Sequence, residues 1–363
     1  MKKLIRLELL FGMALAGSIA HANCDTDLVA YSAAVSANNA VVAGQFISET
    51  PECFGASPQA AQVQINGTSF QQVGSISRAL GLRFASDNPG PWADAGLKGM
   101  AAGNAGKKWN VWGDLGNNDT RQRYINGFGT TTLSDANVSN AVLGADIPWS
   151  PSTVVGLSLA IDRGDMDGRD PGLTYFNQSS TSGYALAPYV GIQLSKAFFL
   201  DASMGLGRGK FRTNNNTDGK ASRWFAAANL GYESWMGKYQ LTGKASYLHA
   251  FEDYANTRAN GVGVNGTAAK STLGQIRLAA QVAYWADGIM PFASLGYMSD
   301  VERKTTLFGT FANPIGRDAW VWSLGVNFIS LSSGLTGSIV FRQEEGRTSQ
   351  DVRMLSANIG LRF

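Results

Sequence analysis

Past the first twenty-two residues the chain has a single histidine, His249, in YLHAFEDY, with Asp253 four residues further on. An imidazole beside a carboxylate can move protons, so this stretch is the first place to look for hydrolysis. If it forms a strand, the two share a face and could neighbour each other. A lipase-type unit would need a serine two residues after the histidine on that same face, and position 251 is Phe. A histidine–aspartate pair with no second carboxylate couple is also too little for a protease. RGDMDGRD, with Asp162 just before it, carries Asp165, Asp167 and Asp170, carboxylates of the kind that hold calcium. The spacing departs from the twelve-residue calcium loop and lacks its closing glutamate, so the stretch reads as a solvated loop. Cys24 and Cys53 are half of a tetrahedral metal set with no histidine near them. In an oxidising compartment they pair instead, closing a loop of about thirty residues that stabilises by ~3 kcal/mol. No catalytic residue, metal centre or cofactor site is assigned, and the chain is not expected to be an enzyme. Function must come from what the elements position.

The compartment is written at the start. Lys2, Lys3 and Arg6 precede the apolar run LLFGMALAGSIA, and AHA before Asn23 is a small-x-small cleavage site. This is a secretory signal peptide over residues 1–22, cut between Ala22 and Asn23, and it implies export through the Sec translocon. Its removal takes away three basic residues and one acidic, bringing the formal charge from +3 to +1. No strongly basic field is left to attract nucleic acid. No later apolar run approaches the ~20 residues of a membrane helix.

From Lys107 onward the sequence alternates with period two. In STVVGLSLAID, Val155, Leu157, Leu159 and Ile161 oppose Gly156, Ser158, Ala160 and Asp162; GQIRLAAQVAYW and AWVWSLGVNF repeat the scheme. Twelve such segments are legible, near 108–117, 135–147, 152–163, 181–194, 197–212, 221–235, 239–251, 272–285, 289–299, 318–329, 334–344 and 350–363. Each is long enough to cross a bilayer as a tilted strand. Short links (PWSP, SK, MGK, ADG, SLSS) alternate with long polar ones such as RGDMDGRDPGLTYFNQSS and TNNNTDGK. Apolar faces often end in aromatics, among them Trp109, Trp224, Tyr232, Tyr284, Trp320 and Phe363. The fold predicted is all-β, a twelve-stranded antiparallel transmembrane barrel over residues 107–363 in contact with outer-membrane lipid. The last strand, SANIGLRF, pairs with the first and leaves no edge. By parity Asp201, Glu233, Lys244, Arg277 and Arg342 point into the lumen.

Residues 23–61 read as a short helical segment carrying the cysteine loop, and 62–106 as a helix followed by a Gly/Pro/Ala linker. In SPQAAQVQINGTSFQQVGSISRALGLRFASD, Phe70, Val73, Ile76, Leu80 and Phe84 fall at helical spacing. Gly67, Gly74 and Gly81 recur every seven residues and share one stripe, which suits a wall in close approach, since each glycine costs a free helix about 1 kcal/mol. At 1.5 Å per residue the helix matches a barrel's height, so it is expected to plug the lumen, with Arg78 and Arg83 pairing to the inward charges.

TSFQQVGSISRALGLRF ahead of the barrel, KKWNVWGDLG opening it, YLHAFEDY and MPFASLGY within it, and the terminal GLRF together resemble the translocator domain of autotransporters, the type V secretion family, over residues 62–363. The resemblance implies a barrel threaded by an N-terminal helix. It also implies insertion by the barrel-assembly machinery, which would recognise the last strand through Leu355, Ala357, Ile359, Leu361 and Phe363, and export of a passenger to the surface of a Gram-negative bacterium. Only about eighty residues precede the barrel, with no solenoid period and no esterase motif, so the passenger would be the small disulfide-clipped segment. A small-solute or oligosaccharide channel and a surface adhesin using the long loops stay open as alternatives. The barrel is expected to be monomeric.

Overall fold

The computed structural model describes residues 58–87, 109–125, 131–169, 176–214, 216–265, 268–306, 316–330 and 333–363. Helix α1 (Pro58–Asp87) is followed by β1 (Asn110–Ile125), β2 (Thr131–Ser150), β3 (Thr153–Arg169), β4 (Phe176–Gln193), β5 (Phe198–Thr213), β6 (Thr217–Met236) and β7 (Tyr239–Tyr254). Then come the two-residue β8 (Arg258–Ala259) and β9 (Val262–Gly263), β10 (Ala269–Tyr284), β11 (Ile289–Thr306), β12 (Asp318–Ser330), β13 (Leu335–Glu345) and β14 (Gln350–Arg362). Each of the twelve long strands pairs antiparallel with its neighbours, β10 with β7, and β14 with β1. The twelve-stranded barrel read from the period-two pattern is therefore closed, with β8 and β9 forming a small hairpin on the long loop after β7. The seam closes at the last residue: Trp109 N–H donates to the Phe363 carbonyl at 3.1 Å, and Phe363 N–H to the Trp109 carbonyl at 3.0 Å.

Side chains are distributed inside out. Leu115, Leu143 and Leu206 are more than 60% exposed on the outer wall, while Asp114, Asp146, Ser158 and Asp201 are buried in the interior. Such a wall is stable only with hydrocarbon around it, and its outward aromatics, including Trp109, Trp224, Tyr239, Trp320 and Phe363, sit near the ends of the apolar band. Leu355, Ala357, Ile359 and Leu361 on β14, and Phe363 just after it, all face outward.

The links are shorter than the sequence suggests. RGDMDGR belongs to β3 and NQSS to β4, so residues 170–175 are all that joins them. Between β5 and β6 only residues 214–216 intervene, with Asn216 at φ +62°. The strands run on past the membrane as wet hairpins, where neither face need be apolar. At the other end the turns are tight; Asp287 and Gly288, both at positive φ, make the two-residue Asp-Gly turn from β10 to β11. On β1 and β2 the outer wall turns polar early. Asn117 Nδ2 donates there to Asn137 Oδ1 at 2.8 Å and to Ser139 Oγ at 3.1 Å.

Candidate functional site: the lumen and its helix

Helix α1 lies inside the barrel, off axis, against the wall made by β1 to β5. Ile76, Leu80 and Phe84 join Trp112, Val154, Ala187 and Tyr189 in one buried apolar cluster. The rest of this interface is polar. Gln71 accepts from Asn140 Nδ2 at 2.5 Å, and Gln72 Nε2 donates to Ser158 Oγ at 3.1 Å and to the Ala185 carbonyl at 3.3 Å. Ser77 Oγ donates to Asp201 Oδ2 at 2.7 Å while accepting from Lys244 Nζ at 2.6 Å, so one hydroxyl links a wall anion to a wall cation through the helix. Arg78 Nη1 reaches Asp114 Oδ2 at 2.9 Å and Ser356 Oγ at 3.0 Å.

The last turn is anchored hardest. Arg83 forms an ion pair with Asp146, both fully enclosed. Asp146 also accepts from Tyr189 Oη and from Asn110 Nδ2, each at 2.9 Å, and Tyr189 Oη accepts from Trp112 Nε1 at 2.7 Å. Arg362 Nη2 donates to the Arg83 carbonyl at 3.2 Å, which joins the helix to the closing strand.

The opposite side of the helix faces a cavity of about 340 Å³. Gly74, Arg78 and Gly81 line it from the helix, and Glu233, Lys244, Arg277 and Arg342 line it from the wall. Arg277 stands 4.1 Å over the Phe70 ring and 3.8 Å from Glu344, which Arg342 contacts at 2.7 Å. Glu233 accepts from Trp235 Nε1 at 2.8 Å. Asp201, Glu233, Lys244, Arg277 and Arg342 are thus all placed inside the barrel.

Three sequence expectations change here. A Cβ on Gly74 or Gly81 would meet nothing within 4 Å, so this part of the stripe opens on the cavity instead of a close wall. The close approach is made by glycines of the wall: a Cβ on Gly191 would come within 2.9 Å of Leu80 and 3.1 Å of Phe84. Spacing identified a shared stripe but not the side on which the wall stands. His249 faces outward as expected, yet Phe251 separates it from Asp253. Its ring lies 5.3 Å from that of Trp224, and its nearest carboxylate is Glu302 at 3.8 Å. Asp165 and Asp167, read as loop residues, lie on β3, and Asp162 just before them is buried and holds Arg223 at 2.6 Å. The surroundings of Gly67, together with Ala22, Asn23, Cys24 and Cys53, lie outside the described residues.

Asp114, Asp146, Gln71, Gln72 and Ser77 were not singled out from sequence. The signal available was a carboxylate at an inward position of the first two strands; its partners stand 36 to 63 residues away. Gly81→Ala is expected to raise stability by up to ~1 kcal/mol, since alanine is the better helix former and has room. Gly191→Ala is expected to lower it by ~1–3 kcal/mol through overpacking. Urea unfolding of the two variants in lipid vesicles checks the contrast.

A sequence profile of the "Autotransporter beta-domain" family matches residues 111–339. Among solved structures, the translocator domain of the autotransporter NalP from Neisseria meningitidis is similar at 12% identity and TM-score 0.56, covering 74% of this chain and 94% of its own. The transport unit of AIDA-I from Escherichia coli is similar at 11% identity and TM-score 0.56, covering 76% and 99%. The β-domain of the Bordetella autotransporter BrkA is similar at 16% identity and TM-score 0.52, covering 70% and 100%. No curated protein matches this chain by sequence.

Proposed function

This chain belongs to the autotransporter β-domain family, whose barrels serve secretion in the outer membrane of Gram-negative bacteria, and on that premise we propose that it carries the short segment ahead of its helix to the cell surface and holds it there. The polarity of α1 carries this reading. Its C-terminal turn is fixed at the tight-turn end by Asp146 and Arg362, so the helix begins, at Pro58, toward the end with the long hairpins. In this reading the signal peptide is removed between Ala22 and Asn23, the Sec translocon and the barrel-assembly machinery bring the chain to the outer membrane, and β14 supplies the assembly signal. The polar lining suits a helix drawn through water, because hydrogen bonds to the wall can be exchanged for hydrogen bonds to solvent at small net cost. The protein works as a monomer and catalyses no reaction.

An epitope placed after Asn23 tests this. Protease added to intact cells is expected to remove it; an epitope cut only after the outer membrane is permeabilised would refute surface display.

A second reading, a small-solute channel, draws on the cavity beside the helix. If the helix is a plug, single-channel conductance of the full chain should be low and should rise several-fold when residues 62–86 are deleted. Equal conductance with and without the helix would count against the plug and for the channel.

A further inference from the structure

Five cations crowd one patch of the outer wall. On β5 the lipid-facing positions Phe198, Leu200, Ala202, Met204 and Leu206 give way to Arg208, Lys210 and Arg212. Beside them, Arg163 follows Ile161 on β3 and Lys220 lies beyond Trp224 on β6. The register sets Arg163 opposite Ser182, Ser182 opposite Lys210, and Lys210 opposite Lys220. Across one row of four strands, three outward residues are therefore cations and none is an anion. All five side chains are exposed, and among the described residues none is within ion-pairing distance of a carboxylate. Asp165 and Asp218 flank the row above, and Asp253 lies to the side on β7. These three leave the patch with an excess of two positive charges.

Like charges directly opposite on neighbouring strands destabilise a sheet, their Cβ atoms being only about 5 Å apart. Lys210 opposite Lys220 has no counter-charge from the protein. The patch also sits just above the apolar band, with Tyr184 level with Arg208 and with Leu206 and Trp224 directly below. Long cationic side chains at that level extend along the wall into the headgroup layer.

We propose that this patch binds the phosphate groups of an anionic, multiply phosphorylated glycolipid of the outer leaflet, its acyl chains lying on the apolar wall of β3 to β6. A lipid is favoured over a free anion because the cations are continuous with the lipid-facing surface, and several fixed phosphates match the row of Arg163, Lys210 and Lys220, opposite which no carboxylate stands. The outer-leaflet placement follows from the long-hairpin end facing out. Binding itself is independent of whether residues 23–57 are exported.

The test uses the purified full chain in mixed micelles with lipid A bearing both phosphates, with its dephosphorylated form, or with inorganic phosphate, the retained lipid being counted by native mass spectrometry. Wild type should hold phosphorylated lipid A at least tenfold more tightly than the dephosphorylated form, and inorganic phosphate at the same concentration should not displace it. The triple variant R208Q/K210Q/K220Q should lose at least tenfold in affinity, whereas Lys304→Gln, on the far wall and paired with Glu302, should not change it. Equal retention of the two lipids by wild type, an unchanged affinity in the triple variant, or displacement by inorganic phosphate would each overturn the proposal. The lipid comparison is made on wild type, so the result stands even if the triple variant folds poorly.

Discussion

Asp146→Ala is expected to destabilise the folded chain by about 3–5 kcal/mol and to release the last turn of the lumen helix. Removing one member of an enclosed ion pair leaves the other charge without compensation, which costs more than the pair contributes in place. Here the loss spreads. Arg83 loses its ion-pair partner, Tyr189 Oη and Asn110 Nδ2 lose their acceptor, and the Trp112–Tyr189–Asp146 relay loses its last member. Urea unfolding in lipid vesicles measures the stability, and the NMR resonance of the Trp112 Nε1–H, which donates to Tyr189 Oη, reports the local change. A double replacement, Arg83→Met with Asp146→Leu, should recover at least half of the loss, because it removes both charges together. If the single variant unfolds within ~1 kcal/mol of wild type, Asp146 is not the anchor of the helix.

The second large effect belongs to the outer wall. Leu324 lies midway along the lipid-facing side of β12, between Phe328 and Trp320, and is 54% exposed. Leu324→Arg places a guanidinium near the bilayer midplane, where it costs ~2–4 kcal/mol. Asn327→Arg, three residues away but turned to the lumen cavity, should change stability by no more than ~1 kcal/mol, since its side chain can extend into the cavity and not into lipid. The two variants put the same charge on opposite sides of one strand. Unfolding measured in vesicles should separate them clearly, and in a detergent micelle the gap should narrow. A midplane arginine as harmless as the lumen one would mean that Leu324 does not meet hydrocarbon.

What sequence could and could not yield follows from these two surfaces. Period-two alternation exposed every strand that crosses the bilayer, because lipid outside and polar contacts inside force opposite chemistry on successive residues. Above the bilayer that contrast disappears. The alternation therefore stops short of RGDMDGR on β3 and, at residue 117, of the end of β1, although the ladder of backbone hydrogen bonds runs through both. The helix was legible from the spacing of Val73, Ile76, Leu80 and Phe84. Its rotation about its own axis was not, because that is settled by Asp114, Asp146, Ser158 and Asp201 on four strands distant in sequence. Lys244 and Arg277 could be assigned to the lumen by parity alone. That Ser77 would couple Lys244 to Asp201 depends on a helix position that strand parity does not encode.

The hydrogen-bonded group of Asn117, Asn137 and Ser139 has a consequence for the surrounding bilayer. On β1 the outward apolar positions extend only from Trp109 to Leu115, about 20 Å of strand and ~15 Å of height once tilted, against a usual band of ~25 Å. Acyl chains beside β1 and β2 must therefore shorten or splay, at a fraction of a kcal/mol for each ångström of mismatch. The bilayer is expected to be pinched along this side of the barrel, next to the seam where β1 meets β14.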